Sequence, residues 1–157
     1  MSDTHFQALN DFMVLCFNNI LTAEERALEF LSNGKLSIKE IHMIDAVFRA
    51  KERGENNFST IAGMLGVTLG TLTAMFSRLE SKGYLVKERD TNDKRVFFIV
   101  PTPLATIINE HHAKWHERLV QGVIKHVPER ELDNLIGTLE NLAGFIKKSR
   151  FLSDDEL

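Results

Sequence analysis

The segment from Phe58 to Val100 constrains the fold of this chain more than any other. It contains three informative runs, which read Ser59-Thr-Ile-Ala-Gly-Met-Leu-Gly-Val, Thr68-Leu-Gly-Thr-Leu-Thr-Ala-Met-Phe-Ser-Arg-Leu and Asp90-Thr-Asn-Asp-Lys-Arg-Val-Phe-Phe-Ile-Val. Apolar residues recur at helical intervals in the first two runs, and Gly66 is placed to end the first helix because glycine adopts left-handed backbone at little steric cost. Short β-forming runs, 84–86 and 96–100, flank a turn-rich tip. The order predicts a helix, a tight turn, a second helix and a two-stranded hairpin.

This order is that of a winged helix-turn-helix, a mainly α fold with a small β-hairpin wing. Thr68 is a predicted N-cap of the second helix, and the predicted apolar face of that helix comprises Leu69, Leu72, Phe76 and Leu79. The opposite face carries small or hydrogen-bonding groups and no carboxylate: Gly70, Thr71, Thr73, Ala74, Ser77 and Arg78. Such a surface can enter a major groove of DNA without repelling phosphates. The alternative is an ordinary solvated face, but the turn before the helix and the hairpin after it favour DNA binding.

Charge is concentrated where a DNA-facing edge would need it. The whole chain has 19 basic and 22 acidic side chains and a net charge of −3. Between Arg78 and Arg95 there are six basic and four acidic residues, a net charge of +2, whereas the remainder has 13 basic and 18 acidic residues, a net charge of −5. The local excess of positive charge is consistent with double-stranded DNA as a partner.

The chain resembles the MarR family of bacterial transcription regulators over nearly its whole length. Within that family it is similar to the branch that represses fatty-acid synthesis (FabT-like). The stretches that carry the resemblance are Phe17-Asn-Asn-Ile-Leu, Ser37-Ile-Lys-Glu-Ile-His-Met-Ile-Asp, Val67-Thr-Leu-Gly-Thr-Leu-Thr and Leu79-Glu-Ser-Lys-Gly-Tyr-Leu. The resemblance implies a DNA-binding repressor of membrane-lipid synthesis genes, with an acyl chain or acyl-carrier protein as its effector.

The wing carries the residue pair that marks this family, an aspartate two residues before an arginine. Asp93 and Arg95 match the pair, and the resemblance implies that Arg95 enters the minor groove. We expect Asp93 to pair with the guanidinium and fix its direction, and we expect Arg89 and Lys94 to contact phosphates. The alternative is that Asp93 and Arg95 form a surface salt bridge of little energetic worth.

The flanking segments predict a homodimer. Helices are expected at 4–31, at 38–49 behind a capping box formed by Ser37 and Glu40, and from the Pro101-Thr-Pro run to His126. A further helix has a regular apolar stripe, which comprises Leu132, Leu135, Ile136, Leu139, Leu142, Ala143 and Ile146. The first and the last two helices have more apolar surface than one chain can cover, so a second copy is expected to cover it, although an intramolecular bundle is the alternative. The expected regions are 1–34 and 102–148 for dimerisation, 35–101 for the winged domain and 149–157 for a polar tail.

Two effectors are consistent with the residues. The chain has eleven phenylalanines, which could line an acyl site, although phenylalanine at helical spacing more often forms ordinary core. His42, His112 and His116 are candidate zinc ligands, since His112 and His116 are one turn apart on a predicted helix and the MarR family includes zinc sensors. Glu40 and Glu110 could supply a carboxylate. The alternative is that these histidines are solvated or line a pocket, and that no cofactor is required.

Other function classes find little support. The chain has no phosphate-binding glycine loop, nucleophile elbow or zinc-protease motif, so we expect no enzymatic activity. The single cysteine, Cys16, has no nearby cation to stabilise a thiolate and is expected to be a small apolar residue rather than a redox sensor. No signal peptide or membrane-spanning run is recognised, so we expect a cytoplasmic protein without a membrane partner.

Overall fold

The computed structural model describes residues 3–32, 34–91 and 93–148. Within them the chain forms six helices and one hairpin: α1 (Asp3–Ser32), α2 (Ile38–Glu52), α3 (Phe58–Leu65), α4 (Leu69–Ser81), β1 (Leu85–Arg89), β2 (Phe97–Pro101), α5 (Pro103–His126) and α6 (Glu129–Lys148). This mainly helical architecture with a two-stranded antiparallel hairpin confirms the predicted fold class. The predicted polar tail, 149–157, lies outside the described residues.

The chain divides into two compact units, Met1–Trp115 and His116–Leu157. The first unit holds α1 to α4, the hairpin and the first half of α5. The second unit holds the second half of α5 together with α6. The boundary between the units therefore falls inside a continuous helix.

Side-chain caps fix where the helices of the winged region begin. Ser37 and Glu40 form the expected capping box at α2, in which the Glu40 carboxylate accepts from the Ser37 backbone N–H at 2.8 Å. Asn57 caps α3 by accepting from the Thr60 N–H, and Thr68 caps α4 by accepting from the Thr71 N–H. These bonds satisfy backbone donors that have no partner within a helix. The turn between α3 and α4 is closed by a glycine, Gly66, at a φ of +66°.

One hydrophobic core joins α2, α3, α4 and the hairpin. Leu28 of α1 and Ala105 and Ile108 of α5 belong to the same core. Its most enclosed side chains in the winged region are Ile41, Met43, Ile44, Val47, Ile61, Leu72, Leu79, Leu85 and Ile99. Asn56 fastens the hairpin to the α2–α3 connection, because its side-chain amide donates to the Ile99 carbonyl at 2.9 Å and the Ile99 N–H donates to the Asn56 carbonyl at 2.8 Å. The antiparallel register runs from Leu85 opposite Pro101 to Arg89 opposite Phe97. The core thus holds α4 and the wing in a fixed relation.

The predicted apolar face of α4 is wrong at one position. Leu69 is 52% exposed, whereas Met75 is buried beside Leu72, Phe76 and Leu79. The helical period therefore gives the buried face of α4 from Leu72 to Leu79 but not at its first residue, Leu69.

Large apolar side chains remain exposed on both sides of the winged region in sequence. On α1 the exposed side chains include Phe6, Leu9, Phe12, Leu15 and Phe17. In the second unit they include Val123, Ile124, Ile136, Leu139 and Phe145. Among the described residues, no single helix is both long and apolar enough to cross a membrane. Only α3 and α4 taken together pass on length and composition, and they are bent by 104°.

Candidate nucleic-acid interface

The polar face of α4 is open to solvent along its whole length. Thr68, Gly70, Thr71, Thr73, Ala74, Ser77 and Arg78 are all exposed. The Thr73 hydroxyl donates to the Leu69 carbonyl at 2.8 Å, and the Ser77 hydroxyl donates to the Thr73 carbonyl at 3.1 Å. Because these hydroxyl protons are used within the helix, the oxygens present their lone pairs outward. This face is therefore suited to accept hydrogen bonds from the amino groups of adenine or cytosine in a major groove.

A buried carboxylate on α2 holds the last turn of α4. Glu40 Oε1 accepts from the Lys82 ammonium at 2.7 Å and lies 3.8 Å from Arg78 Nε. Burial raises the pKa of the Glu40 carboxyl, but hydrogen bonds from Lys82 and Ser37 and the Coulombic attraction of Lys82 outweigh it, so the pKa lies below its usual value. The sequence predicted Glu40 as a possible metal ligand. In the structure its carboxylate accepts hydrogen bonds from Ser37 and Lys82 instead.

The wing tip is organised through its backbone. Asp93 Oδ1 accepts from the Arg95 backbone N–H at 2.9 Å, and Asp90 Oδ1 accepts from the Asp93 N–H at 3.1 Å. The expected pairing of Asp93 with the Arg95 guanidinium is not what the structure shows, because an aspartate in a turn reaches the N–H two residues ahead. Asp93 therefore shapes the turn, and the Arg95 side chain is exposed beside it.

Arg89 and Lys94 are also exposed, as a phosphate contact requires. Arg89 is partly engaged, however, since its Nε donates to the Lys94 carbonyl at 2.6 Å and its guanidinium carbon lies 5.4 Å from the centre of the Phe97 ring. Arg89 thus stabilises the wing turn through this hydrogen bond, a role that the sequence did not indicate.

A cleft of about 570 Å³ lies between α4 and the wing. Its lining combines one side of α4 with the wing and the start of α3: Asn57, Phe58, Ser59, Leu69, Thr73, Phe76, Ser77, Glu80, Lys87, Arg95, Val96 and Phe97. Lys87 stands over the Phe97 ring with its ammonium 4.0 Å from the ring centre. Sequence reasoning missed Lys87, although the alternation of β1 places it on the same strand face as Arg89.

A second polar cluster, formed by Glu24, His42 and His112, lies within the first unit. None of these three residues was predicted to contact DNA. Oε1 of Glu24 on α1 is 2.9 Å from His42 Nε2 and 2.8 Å from His112 Nε2. Glu24 and His112 are buried, and the two imidazole rings are 5.5 Å apart. Burial raises the pKa of Glu24, but hydrogen bonds and Coulombic attraction from the two histidines outweigh it and leave the pKa below its usual value.

The structure brings together two of the three histidines offered as zinc ligands. Ligand atoms of Glu24, His42 and His112 all lie within 4.8 Å of one another, and His116 is not a member of this group. Glu110 is exposed and is also not a member. Glu24 was missed because it precedes His42 by 18 residues and His112 by 88, and only the packing of three helices reveals that it faces both.

Comparison with known proteins identifies the fold and the family. The MarR family model matches residues 35–97. The chain resembles the crystal structure of Streptococcus pneumoniae FabT in complex with DNA, with a TM-score of 0.82 and 32% identity over 91% of this chain and 98% of that chain. The S. aureus MepR–DNA complex has the same fold, with a TM-score of 0.71 and 16% identity over 88% of this chain and 97% of that one.

A curated relative is similar over a shorter stretch. It is YcgE of Bacillus subtilis (strain 168), described as an uncharacterized HTH-type transcriptional regulator, and it is 38% identical over 50 residues. The matched segment spans 32% of this chain and 32% of that protein. The FabT likeness extends over nearly the whole chain and agrees with the FabT-like branch expected from the sequence. The chain belongs to the MarR family, and it is a DNA-binding transcription regulator rather than an enzyme.

Proposed function

We propose that the protein is a homodimeric repressor that places α4 in a major groove and the wing in the adjacent minor groove of a palindromic operator. The observation that carries this proposal is the exposure of both predicted reading elements, the polar face of α4 and the Arg95 side chain, on one hydrophobic core. Thr71, Thr73, Ala74 and Ser77 read base edges, while Arg78 contacts a base or a phosphate.

The homodimer is supported by the exposed apolar side chains of α1 and of the second unit. Soluble monomers rarely leave apolar patches of this kind uncovered, and a second copy with two-fold symmetry covers like with like. Two-fold symmetry places two α4 helices on successive major grooves, about one helical turn apart. Sedimentation at micromolar concentration should give twice the 17.9 kDa chain mass, and a species of the single-chain mass alone would contradict the dimer.

Fatty-acid synthesis genes are the proposed targets, supported by the likeness to FabT over 91% of this chain. An acyl chain or an acyl-carrier protein that bound where the dimer helices meet the winged domain would change the spacing of the two α4 helices. Operator affinity would then change because both half-sites must be met together. No metal or other cofactor is needed for this mechanism.

The genes can be tested by sequencing native genomic fragments retained by the purified protein. Enrichment of promoters for lipid synthesis, lost with an Arg95→Ala variant, is the expected result. Enrichment confined to other promoters would contradict the fatty-acid assignment while leaving DNA binding intact.

A zinc-responsive regulator of metal-uptake genes is a second candidate, favoured by the Glu24–His42–His112 cluster. A carboxylate and two imidazoles are zinc ligands, and a fourth position would remain for another donor. The side-chain oxygen of Asn109, one turn before His112 on α5, is buried and accepts no hydrogen bond from the described residues. This oxygen is therefore a candidate for the fourth position. Zinc would replace the hydrogen bonds that now link the three side chains.

Zinc analysis of protein freed from chelator tests this candidate. We expect one ion per chain after incubation and dialysis, loss of that ion in a Glu24→Gln variant, and retention in a His111→Ala control on the same helix. Protein that retains no zinc would end the idea, and promoters enriched in the genomic experiment would separate metal uptake from lipid synthesis.

A further inference from the structure

We propose that Lys87, in the cleft between α4 and the wing, anchors a phosphate of the sugar–phosphate strand that divides the two grooves, and that Glu80 opposes this contact. The inference rests on the proposed function, in which α4 and Arg95 occupy adjacent grooves. In duplex DNA a backbone strand separates a major groove from the next minor groove. A protein that fills both with two elements must therefore pass that strand between them.

The cleft has the chemistry that such a strand requires. Arg95 and Lys87 line it from the wing, and the hydroxyls of Thr73 and Ser77 line it from α4. Phe58 and Phe97 supply apolar surface at the same place. Phosphate oxygens accept from cations and hydroxyls, while the sugar carbons pack against apolar surface. An open cleft of about 570 Å³ that contains both cations and aromatic rings therefore suits a DNA strand, which has charged phosphates and apolar sugar carbons.

Lys87 is held in this cleft without a neutralising partner. Its ammonium lies 4.0 Å from the centre of the Phe97 ring and 5.6 Å from that of Phe58. Ring faces attract a cation and give it a preferred direction without cancelling its charge. Across the described part of the chain no carboxylate forms an ion pair with Lys87, although Glu80 lines the same cleft. Arg89, by contrast, donates its Nε to the Lys94 carbonyl and is partly engaged. Lys87 is therefore the better placed of the two for a phosphate.

Glu80 supplies an opposing charge within the same cleft. A phosphate strand in the cleft would be repelled by this carboxylate, so its neutralisation should strengthen DNA binding. Lys87 and Glu80 are both exposed, so substitutions of either leave the core intact. A general loss of fold would weaken DNA binding in both variants. A phosphate strand in the cleft should instead make binding weaker when Lys87 is neutralised and stronger when Glu80 is neutralised.

The test is the salt dependence of binding to a duplex selected from random sequence by the wild-type protein. Each phosphate contact that is lost reduces the slope of log K against log[salt] by about 0.9. Lys87→Met should therefore flatten the slope by about 0.9 per chain and weaken binding about eightfold per chain at 0.1 M salt. Lys87→Arg should retain the slope, and Glu80→Gln should bind more tightly than wild type. Lys114→Met, an exposed lysine on α5, is the matched control and should change nothing.

Neutral methylphosphonate linkages locate the contact on the DNA. Placed one at a time along the selected duplex, they should weaken wild-type binding at a position between the two contacted grooves, and Lys87→Met should be insensitive there. The proposal would be overturned if Lys87→Met had the salt slope of the wild type. It would also be overturned if every methylphosphonate that weakens wild-type binding weakened binding of Lys87→Met as well. If the wild-type protein selects no duplex at all, the proposed function itself fails, which is a different outcome.

Discussion

At the scale of single residues, Gly70, the smallest residue on the exposed polar face of α4, is expected to control how closely DNA can approach. A Cβ at Gly70 would meet only Thr68 Oγ1, at 4.0 Å, so an alanine fits without strain in the protein. The added methyl would instead occupy space on the exposed face that the sequence assigns to the major groove. The effect of a substitution here therefore separates folding from DNA recognition.

We expect Gly70→Ala to weaken operator binding without lowering the free energy of unfolding, because alanine is the better helix former by about 0.5–1 kcal/mol in helix interiors. Fluorescence anisotropy and urea denaturation measure the two quantities. Gly63→Ala on α3 is the matched control, since Gly63 also has open space around its Cα. It should be at least as stable as wild type and bind DNA normally. If both variants bound the operator with equal affinity, Gly70 would not be part of the DNA interface.

Arg95 gives the sharpest single-residue prediction for the wing. Arg95→Ala should weaken operator binding about tenfold or more, since hydrogen bonds from a charged donor contribute about 1.5–3 kcal/mol. The dimer should remain intact because the Arg95 side chain is exposed at the wing tip. A gel-shift series with sedimentation of the same samples provides both readouts, with Arg26→Ala on α1 as control. Unchanged affinity would show that the wing does not enter the minor groove.

At the scale of secondary-structure elements, Lys82 ties the end of α4 to the start of α2. Its ammonium donates to the Glu40 carboxylate at 2.7 Å and to the Lys35 carbonyl at 2.8 Å. Glu40 is only 4% exposed, so its charge depends on these partners and on Ser37. The orientation of the predicted DNA-reading helix is thus fixed by a charged contact as well as by the apolar core.

Lys82→Met should destabilise the protein by about 1–3 kcal/mol because it removes a hydrogen-bond partner from a buried acceptor. Glu40→Gln in the same background should recover part of that loss, because the uncharged amide is less costly to bury. Urea denaturation of the two single variants and the double variant measures the coupling. Strictly additive effects would show that Lys82 and Glu40 act independently.

The elements were predictable wherever local chemistry decides structure. The capping box of Ser37 and Glu40, the turn at Gly66 and the cap at Thr68 are all set by residues within a few positions of one another. The contacts that needed the structure join distant segments, as Lys82 joins Glu40 and Glu24 joins His112. Periodicity also failed at Leu69, because a helical period indicates a face but not how far the core extends beneath it.

At the scale of the whole molecule, the apolar side chains of α1 are expected to decide the oligomeric state. Phe12 is 60% exposed and Leu15 is 64% exposed, and residues of this kind are normally covered in a stable soluble protein. The hydrophobic core takes Leu28 from α1, but Phe12 and Leu15 are not among its members. Their proposed role is in the contact between two copies.

We expect Phe12→Glu to weaken self-association at least tenfold while leaving the winged core folded, because a buried charge without a partner is costly in an interface. Sedimentation velocity over a concentration series measures the association. Asn18→Glu adds the same charge to an exposed polar position of α1 and serves as the control. If Phe12→Glu associates as tightly as the control, the α1 face is not part of the dimer contact.

The form of the selected operator tests the central claim most directly. Duplexes with a randomised 30-base-pair centre should be selected on the wild-type protein and sequenced. A symmetric dimer with two outward-facing α4 helices predicts an inverted repeat whose half-site centres lie about 10–10.5 base pairs apart. Enriched sequences that lack two-fold symmetry, or no enrichment beyond that obtained with Arg95→Ala, would contradict it.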